Sequence, residues 1–185
     1  MNAATELQPL AFSLVAESDG DIATRENLLD RAMGPGRKRK SSEKLRRGRK
    51  PSEGLALVAR GSDGSLVGTV RLWDVAAGDR AALLLGPLAV DPSLKGAGIG
   101  GALMRLAIEE ARRLGHKAIL LVGDAPYYAR FGFTAEKTGA LAMPGPYERH
   151  RFLALELEEG ALDGAQGVLR ATGRKATRHE VAAAA

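Results

Sequence analysis

The spacing of apolar residues in the first half of the chain predicts one helix followed by a pair of strands. Residues 17–33 begin as a turn and continue with apolar residues at roughly helical spacing, which predicts a first helix. Two runs rich in strand-forming residues, 54–60 and 66–75, enclose a turn at Asp63-Gly64. This arrangement is typical of a β-hairpin.

The second half of the chain continues the alternation of strands and helices. Residues 81–90 predict an apolar strand, which Gly86-Pro87 interrupts. Residues 101–115 predict a helix with one apolar face that ends at Gly115. Three further segments predict a buried strand, a short helix with a turn, and an alternating final strand: 117–124, 125–133 and 151–159. From about residue 160 onward, small and polar residues predict a loosely ordered extension.

The composition is that of an ordinary globular domain. Of the 185 residues, 45% are apolar and 26% are charged, enough to bury a real core. The chain has no membrane-length apolar run and no signal-peptide pattern, so we expect a cytoplasmic protein without a membrane partner. The absence of cysteine excludes disulfides, thiolate metal sites and a covalent cysteine mechanism. The three histidines are scattered, so no metal site is expected.

The positive charge of the chain is concentrated in one segment. Residues 37–50, called here the basic segment, contain nine Lys or Arg and one Glu. The whole chain carries +5, so the rest of it carries −3. The basic segment could bind nucleic acid, form a cationic rim that attracts an anionic ligand, or be a solvated loop and short helix. No aromatic residue interrupts it, which argues against a stacking surface for single strands.

A glycine-rich loop precedes the helix of residues 101–115. Such a loop lets backbone N–H groups converge on an anion, and the helix dipole adds to the attraction. A Walker loop is excluded because no Gly-Lys-Ser/Thr follows. Residues 96–101 match the dinucleotide fingerprint G-x-G-x-x-G, with Asp124 placed as a ribose-binding acid. Against that reading, residues 91–95 separate the loop from its strand, and only about 85 residues follow it.

The third ligand class for this loop is coenzyme A. Residues 95–100 (KGAGIG) resemble the R/Q-x-x-G-x-G/A loop of the GNAT superfamily of N-acetyltransferases. Residues 81–133 also follow that family's order of strand, pyrophosphate loop, helix, strand and a tyrosine-bearing turn that ends in Gly-Phe. The resemblance covers about residues 10–160, and the hairpin stands where the family has its second and third strands.

The resemblance implies an α/β GNAT fold. Its central sheet is mixed and mostly antiparallel, with a splayed strand pair and flanking helices. We expect this domain over residues 1–160 and a C-terminal extension, loosely ordered, over residues 161–185.

The resemblance also implies a binding site for acetyl-coenzyme A, the expected cosubstrate. Pro87 removes a ladder donor, so its strand must bulge or lose a neighbour there. In the family this strand splays away to admit the pantetheine arm, whereas the plainer interpretation is a bulge at a sheet edge. Lys95 keeps the family's positive charge without its guanidinium fork. The implied cofactor-binding residues are Leu88, Ala89, Val90, Lys95, Gly96, Ala97, Gly98, Ile99, Gly100, Gly101 and Tyr128.

Two groups carry the chemistry that the resemblance implies. In the family, a tyrosine at the position of Tyr128 often points at the coenzyme's sulfur, where a phenol can hydrogen-bond the leaving thiolate. The backbone N–H of Leu88 would polarise the acyl carbonyl. The alternative for Tyr128 is ordinary packing, and Tyr127 beside it packs in the core or lines the pocket. An asparagine that many relatives carry before the tyrosine is missing, and Asp124 is the nearest polar residue.

The acceptor side of the site is less patterned. Trp73, Asp74 and Glu26 are the substrate-binding candidates, with Asp74 expected to face the acceptor cleft beside Trp73. Either carboxylate could serve as the general base. A chain of waters could replace that base, and both carboxylates could instead be solvated surface groups.

The expected function is transfer of an acetyl or short acyl group from acetyl-coenzyme A to an amine on a small molecule or peptide. A direct ternary complex is expected, because the chain has neither cysteine nor a G-x-S-x-G elbow. Two alternatives remain: a non-catalytic acyl-coenzyme A sensor, and a nucleic-acid-binding module that uses the basic segment. Nucleic acid is the less favoured partner, and the chain could be a monomer or a homodimer.

Overall fold

A central seven-stranded sheet organises the chain, and the computed structural model describes residues 11–177 of it. The strands of this sheet are β1 (Phe12–Ala16), β2 (Ala56–Gly61), β3 (Leu66–Ala77), β4 (Arg80–Val90), β5 (Ala118–Val122), β7 (Phe152–Glu156) and β9 (Arg170–Ala171). Their order is β1-β2-β3-β4-β5-β7, with β9 paired to β3. Within this sheet, among the described residues, only the β4–β5 pairing is parallel. The expected mixed, mostly antiparallel sheet is therefore confirmed, as is the β2–β3 hairpin.

The helices flank this sheet. They are α1 (Ile22–Met33), α2 (Glu43–Arg46), α3 (Ile99–Arg113) and α4 (Ala125–Ala129). The two longer helices occur where the apolar spacing predicts them. Helix α3 begins two residues earlier than predicted, because Gly98 takes a left-handed conformation and caps it. None of the helices within residues 11–177 is long and apolar enough to cross a membrane.

The core lies on both faces of the sheet. One layer packs α3 against β2–β5 and includes Leu72, Leu103 and Met104. Helix α3 approaches β3 closely at Gly68, where an added Cβ would lie 2.9 Å from side-chain atoms of both Ile99 and Leu103. The second layer, on the opposite face, includes Trp73, Leu84 and Phe152. Helix α3 therefore packs on one face of the sheet, and the Trp73 side chain lies on the other face.

Strand β4 stays paired with β3 along its length, but it bulges at Gly86-Pro87 and loses β5 as a partner. Leu72 pairs with Leu85 and Val70 pairs with Leu88, so Gly86 and Pro87 together oppose a single residue of β3. This is a bulge, as the position of the proline predicts. Strand β4 pairs with β5 only through Leu83 and Leu84, so the two strands separate beyond that point. The predicted splayed pair is present, and the Gly86-Pro87 peptide bond that lies in it is cis.

Residues 161–177 differ from the loosely ordered extension expected from their composition. Leu162, Ala165 and Leu169 are buried in the second core layer. Strand β9 pairs with β3, and a short strand β8 (Gly167–Val168) pairs with β6 (Leu141–Ala142). These enclosed side chains and backbone hydrogen bonds, such as those from Thr172 and Gly173 to the Asp74 carbonyl, fold this polar-looking segment back onto the sheet. The remainder of the expected extension, 178–185, lies outside the described residues.

Candidate functional site

The glycine-rich loop and the start of α3 present a set of backbone donors. Gly96 and Gly98 have φ angles of 89° and 81°, which turn the chain sharply into the helix. Within the described chain, Ala97 alone among residues 96–101 donates its N–H to a backbone carbonyl, that of Leu94 at 3.1 Å. The other five N–H groups are left at the positive end of a 15-residue helix. This arrangement suits a diphosphate.

The segment before the loop exposes one edge of its backbone. The N–H of Asp91 donates to Val67 on β3 at 2.8 Å. Because successive amides of a strand alternate in direction, those of Leu88 and Val90 point away from β3, toward the side that β5 has left. Ala89, between them, is buried and pairs with Thr69. The exposed edge therefore offers donors to an extended ligand.

An open groove of about 790 Å³ lies beside the loop. Its walls include Gly98, Gly101, Arg105, Arg112, Arg130 and Phe131. Arg130 also stacks on the ring of Tyr127, with 4.5 Å between its Cζ and the ring centroid. The three arginines are functional candidates that the sequence reasoning missed. The sequence signal for two of them is helical spacing: Arg105 follows Gly101 by four residues and Arg112 follows Arg105 by seven, which places them on one side of α3.

Tyr128 sits on the short helix α4 with a half-buried ring. The ring makes edge contacts with Tyr127 and Phe133, at centroid distances of 4.9 and 6.0 Å. A Cβ at Gly123 would overlap this ring, so the glycine makes room for it. Burial, and next the neighbouring Tyr127, raise the pKa of Tyr128 to about 12. The Tyr128 phenol is therefore a neutral donor at physiological pH, and its hydroxyl makes no hydrogen bond among residues 11–177.

Asp124 has a structural role in this arrangement. Its side chain accepts a hydrogen bond from the Tyr127 N–H at 3.2 Å and caps the start of α4. Helix α4 is thereby fixed at the end of β5, the strand from which β4 separates.

A second cavity, of about 280 Å³, lies on the other face of the sheet. We call it the cationic cavity, because seven of its lining residues are Lys or Arg and two are Glu. Its wall consists of Arg25, Glu26, Leu29, Met33, Arg37, Lys38, Glu43, Arg46, Arg47, Gly48, Arg49, Arg71, Trp73, Pro87 and Ala176. Half of the basic segment therefore turns toward this cavity. Trp73 forms part of its floor and donates its indole N–H to the Gly86 carbonyl at 2.6 Å.

Of the three substrate-binding candidates, the structure brings Trp73 and Glu26 to the cationic cavity but not Asp74. Asp74 follows Trp73 directly on β3, so its side chain points to the opposite face. There its carboxylate accepts a hydrogen bond from the Ser52 hydroxyl at 2.8 Å. The expectation that Asp74 faces the same cleft as Trp73 is thus corrected by the alternation of the strand.

Buried carboxylates hold most of the arginines in place. Glu17, 4% exposed, accepts hydrogen bonds from both Arg25 and Arg71. Glu26 pairs with Arg25 at 2.8 Å and with Arg37 at 2.5 Å. Burial alone would raise the pKa of Glu26, but the hydrogen bonds from these two arginines outweigh it and lower the pKa. Glu26 is therefore a firmly ionised carboxylate and a weak base.

Arg46 is less completely paired. Its side chain is 10% exposed, and Nη2 donates to Glu43 at 3.1 Å and to Ser42 at 3.3 Å. Its Nε is buried and has no hydrogen-bond partner. In the described part of the chain, no cluster of three or more His, Cys, Asp or Glu side chains could hold a metal ion.

Comparison with known proteins gives one consistent result. The family model described as the acetyltransferase (GNAT) family matches residues 9–133. The uncharacterized N-acetyltransferase YhbS of Escherichia coli (strain K12) is 30% identical over 117 residues, covering 62% of this chain and 70% of YhbS. The uncharacterized N-acetyltransferase YjhQ of the same strain is 41% identical over 71 residues, which span 37% of this chain and only 39% of YjhQ.

Solved structures give the same result. The crystal structure of YhbS from Escherichia coli in complex with CoA superposes with a TM-score of 0.73 at 26% identity, covering 88% of this chain and 91% of that one. A GNAT family acetyltransferase from Brucella melitensis in complex with acetyl-CoA gives a TM-score of 0.64 at 26% identity, covering 88% and 96%.

Proposed function

Because the chain belongs to the GNAT family of acetyltransferases, we propose that it transfers an acetyl group from acetyl-coenzyme A to an amine. The observation that carries the proposal is the set of five unbonded N–H groups at the start of α3, directly after the strand that has left β5. The two solved relatives described above contain CoA or acetyl-CoA, which supports the same ligand here.

In this proposal the coenzyme lies along the exposed edge of β4 and the start of α3. The pantetheine arm bonds the N–H groups of Leu88 and Val90, as an added strand would. The diphosphate lies on the N–H groups of the loop, with Lys95 nearby on its exposed rim. The arginines of the open groove lie beside the loop and suit the coenzyme's remaining phosphate.

The proposed transfer is direct. The amine nitrogen attacks the thioester carbonyl carbon, and the N–H of Leu88 stabilises the oxygen as it becomes negative. The carbon–sulfur bond then breaks, and Tyr128 donates a hydrogen bond to the departing thiolate. The proton lost by the amine balances the proton gained by the thiol.

No side-chain base is part of the proposal. Glu26 is held between two guanidinium groups, and Asp74 lies on the opposite face from the cationic cavity. We therefore assign removal of the amine proton to water.

The first test is calorimetric titration of the protein with acetyl-coenzyme A and, separately, with NAD. We expect micromolar binding of acetyl-coenzyme A and none of NAD. Binding of NAD alone would contradict the proposal and favour the dinucleotide interpretation of the loop. Coenzyme release is then followed with a panel of amines, and binding without any release would favour the sensor.

The second test is the variant Tyr128→Phe. We expect kcat to fall at least about tenfold, because one hydrogen bond to a charged leaving group is lost, with the affinity for acetyl-coenzyme A little changed. Tyr147→Phe is the matched control, since Tyr147 packs against Phe152 in the second core layer. Equal kcat values for the two variants would argue against a role for Tyr128 in the transfer.

A further inference from the structure

Resting on the proposed function, we infer that the acceptor is a small amine that also carries a carboxylate or phosphate, and that the cationic cavity binds this anionic group through Arg46. The inference concerns the substrate class and leaves the transfer chemistry as described.

The first argument is the balance of charge in the cavity. Arg25, Arg37 and Arg71 are paired with carboxylates, so they contribute little free positive charge. Arg47 and Arg49 donate instead to the backbone carbonyls of Lys38 and Gly173, at 3.4 and 2.6 Å. In the part of the chain that the structure describes, neither of these two has an ion pair. The cavity wall therefore keeps an excess of positive charge that a ligand can neutralise.

The second argument is that the buried Arg46 side chain lacks a full set of hydrogen-bond partners. The Arg46 guanidinium is nine-tenths buried and its Nε has no hydrogen-bond partner. Burying such a donor costs free energy, which an acceptor supplied by a ligand would offset. Burial also lowers the pKa of Arg46, and a bound anion would relieve that effect. The planar fork of an arginine matches a carboxylate or a phosphate in shape as well as in charge.

The third argument is position. Nη1 of Arg46 lies 3.6 Å from the place where a Cβ on Gly86 would be, and Pro87 forms part of the cavity wall. The anionic end of an acceptor held by Arg46 is thus near the point where β4 leaves β5. The amine end needs only a short spacer to reach the thioester carbonyl that we place at Leu88.

The phosphates of coenzyme A are a poorer explanation for this charge. The cationic cavity and the open groove beside the loop have no lining residue in common. Pro87 precedes the loop by eight residues and belongs to the bulge, whereas the phosphate donors follow Val90. The volume of about 280 Å³ matches the lower end of small-molecule pockets and favours a metabolite over a folded partner.

The test compares amines in pairs that differ only in the anionic group. With saturating acetyl-coenzyme A, coenzyme release is measured for glycine against glycinamide, phosphoethanolamine against ethanolamine, and glucosamine 6-phosphate against glucosamine. We expect kcat/KM to favour the anionic member of at least one pair by about tenfold or more. The first pair reports a carboxylate, and the other two report a phosphate. Equal or better use of the neutral members, or use of none of the anionic ones, overturns the inference.

Variants assign the effect to the cavity. Arg46→Met should raise KM for the preferred anionic amine at least about tenfold, leave its neutral partner unchanged, and leave acetyl-coenzyme A binding intact. Arg46→Lys should restore part of the affinity. Arg47→Gln, at an exposed position of the wall, should also raise KM for the preferred anionic amine. It serves as the test if the Arg46 variants fold poorly. Arg113→Gln, on the exposed side of α3, is the matched control. Equal losses for anionic and neutral amines contradict the inference.

The two proposals fail in different ways. If calorimetry detects no acetyl-coenzyme A binding, the proposed function fails. Titrating the free protein with phosphoethanolamine and ethanolamine still tests the anion site, and binding of the neutral amine alone, or of neither, counts against it. If acetyl-coenzyme A binds and neutral amines are acetylated as readily as anionic ones, only the further inference fails.

Discussion

The contact between Gly123 and Tyr128 shows how a residue without a side chain can position one that has a proposed chemical role. Gly123 directly follows the buried strand β5, and Tyr128 lies five residues later on α4, with its ring directly over the glycine. Any larger residue at position 123 must move the ring. The orientation of the phenol therefore depends on the absence of a side chain at Gly123 as well as on the contacts of the ring.

We expect Gly123→Ala to reduce turnover more than it reduces affinity for acetyl-coenzyme A, because the added methyl displaces the Tyr128 ring. Overpacking of this kind also destabilises a fold by about 1 to 3 kcal/mol. Steady-state kinetics, calorimetry and urea unfolding measure the three quantities. The control is Gly139→Ala, where an added Cβ meets no atom within 4 Å. Unchanged kcat in the Gly123 variant would mean that the ring position does not matter for transfer.

The raised pKa of Tyr128 predicts a late step in the alkaline titration of the protein. An ordinary phenol ionises near pH 10, whereas Tyr128 should remain neutral until about pH 12. The stability that accompanies this shift is fully present below pH 10 and is lost as the pH rises toward 12. Ultraviolet absorbance of tyrosinate follows the titration directly. The component near pH 12 should disappear in Tyr128→Phe; its persistence would contradict the assignment.

For individual residues, the sequence predicted features that depend on neighbours along the chain, but not features that depend on packing between distant segments. The glycine loop is recognisable because its glycines determine the local backbone geometry, whereas Tyr128 was identified through the family resemblance and its role stays a prediction. The placement of Asp74 beside Trp73 was wrong, since adjacent residues on a regular strand face opposite ways. The unpartnered state of Arg46 depends on burial by other segments, and no sequence pattern encodes it.

Among the elements, a single buried carboxylate connects three of them. Glu17 follows β1 and accepts hydrogen bonds from Arg25 on α1 and Arg71 on β3. These partners lie 8 and 54 residues away along the chain, which is why the sequence analysis did not identify the connection. The pairing holds α1, and so one wall of the cationic cavity, against the sheet.

We expect Glu17→Gln to lower the free energy of unfolding by about 3 to 5 kcal/mol, because it leaves the largely buried Arg71 without a carboxylate and Arg25 with Glu26 alone. Urea denaturation at neutral pH measures the loss. Glu53→Gln is the control, since Glu53 is 87% exposed and its nearest ion-pair distance, to Arg174, is 3.7 Å. A loss no larger than that of the control would show that Glu17 is dispensable for this connection.

For the molecule as a whole, residues 161–177 close the second core layer. The segment suggests a loose, polar structure because four of its seven apolar residues are alanines, and only Leu162, Val168 and Leu169 are larger. Its structure comes from the surface it covers, which lies on β3 and β7. By contrast, most of the strands and helices up to residue 160 were predicted, because each of them has its own apolar pattern; β1 and the two-residue β6 were not predicted.

Two adjacent residues test this closure. Leu169 is 1% exposed and Val168 is 51% exposed. We expect Leu169→Ala to cost about 2 to 5 kcal/mol of stability, and Val168→Ala to change it by less than about 0.5 kcal/mol. Thermal and urea unfolding compare the two variants. Similar values would mean that the segment contributes no more to the core than a surface strand does.

The separation of β4 from β5 also affects the mechanics of the molecule. Only Leu83 and Leu84 register with β5, so the strands before and after this junction form two half-sheets joined by a narrow strip of backbone ladder. Side-chain packing supplies the rest of the cohesion between them. In the proposed complex, the coenzyme bonds β4 and the glycine-rich loop on one side and Tyr128, beyond β5, on the other, so it would link the two halves. Occupancy should therefore make unfolding more cooperative, in addition to the stabilisation that any bound ligand provides.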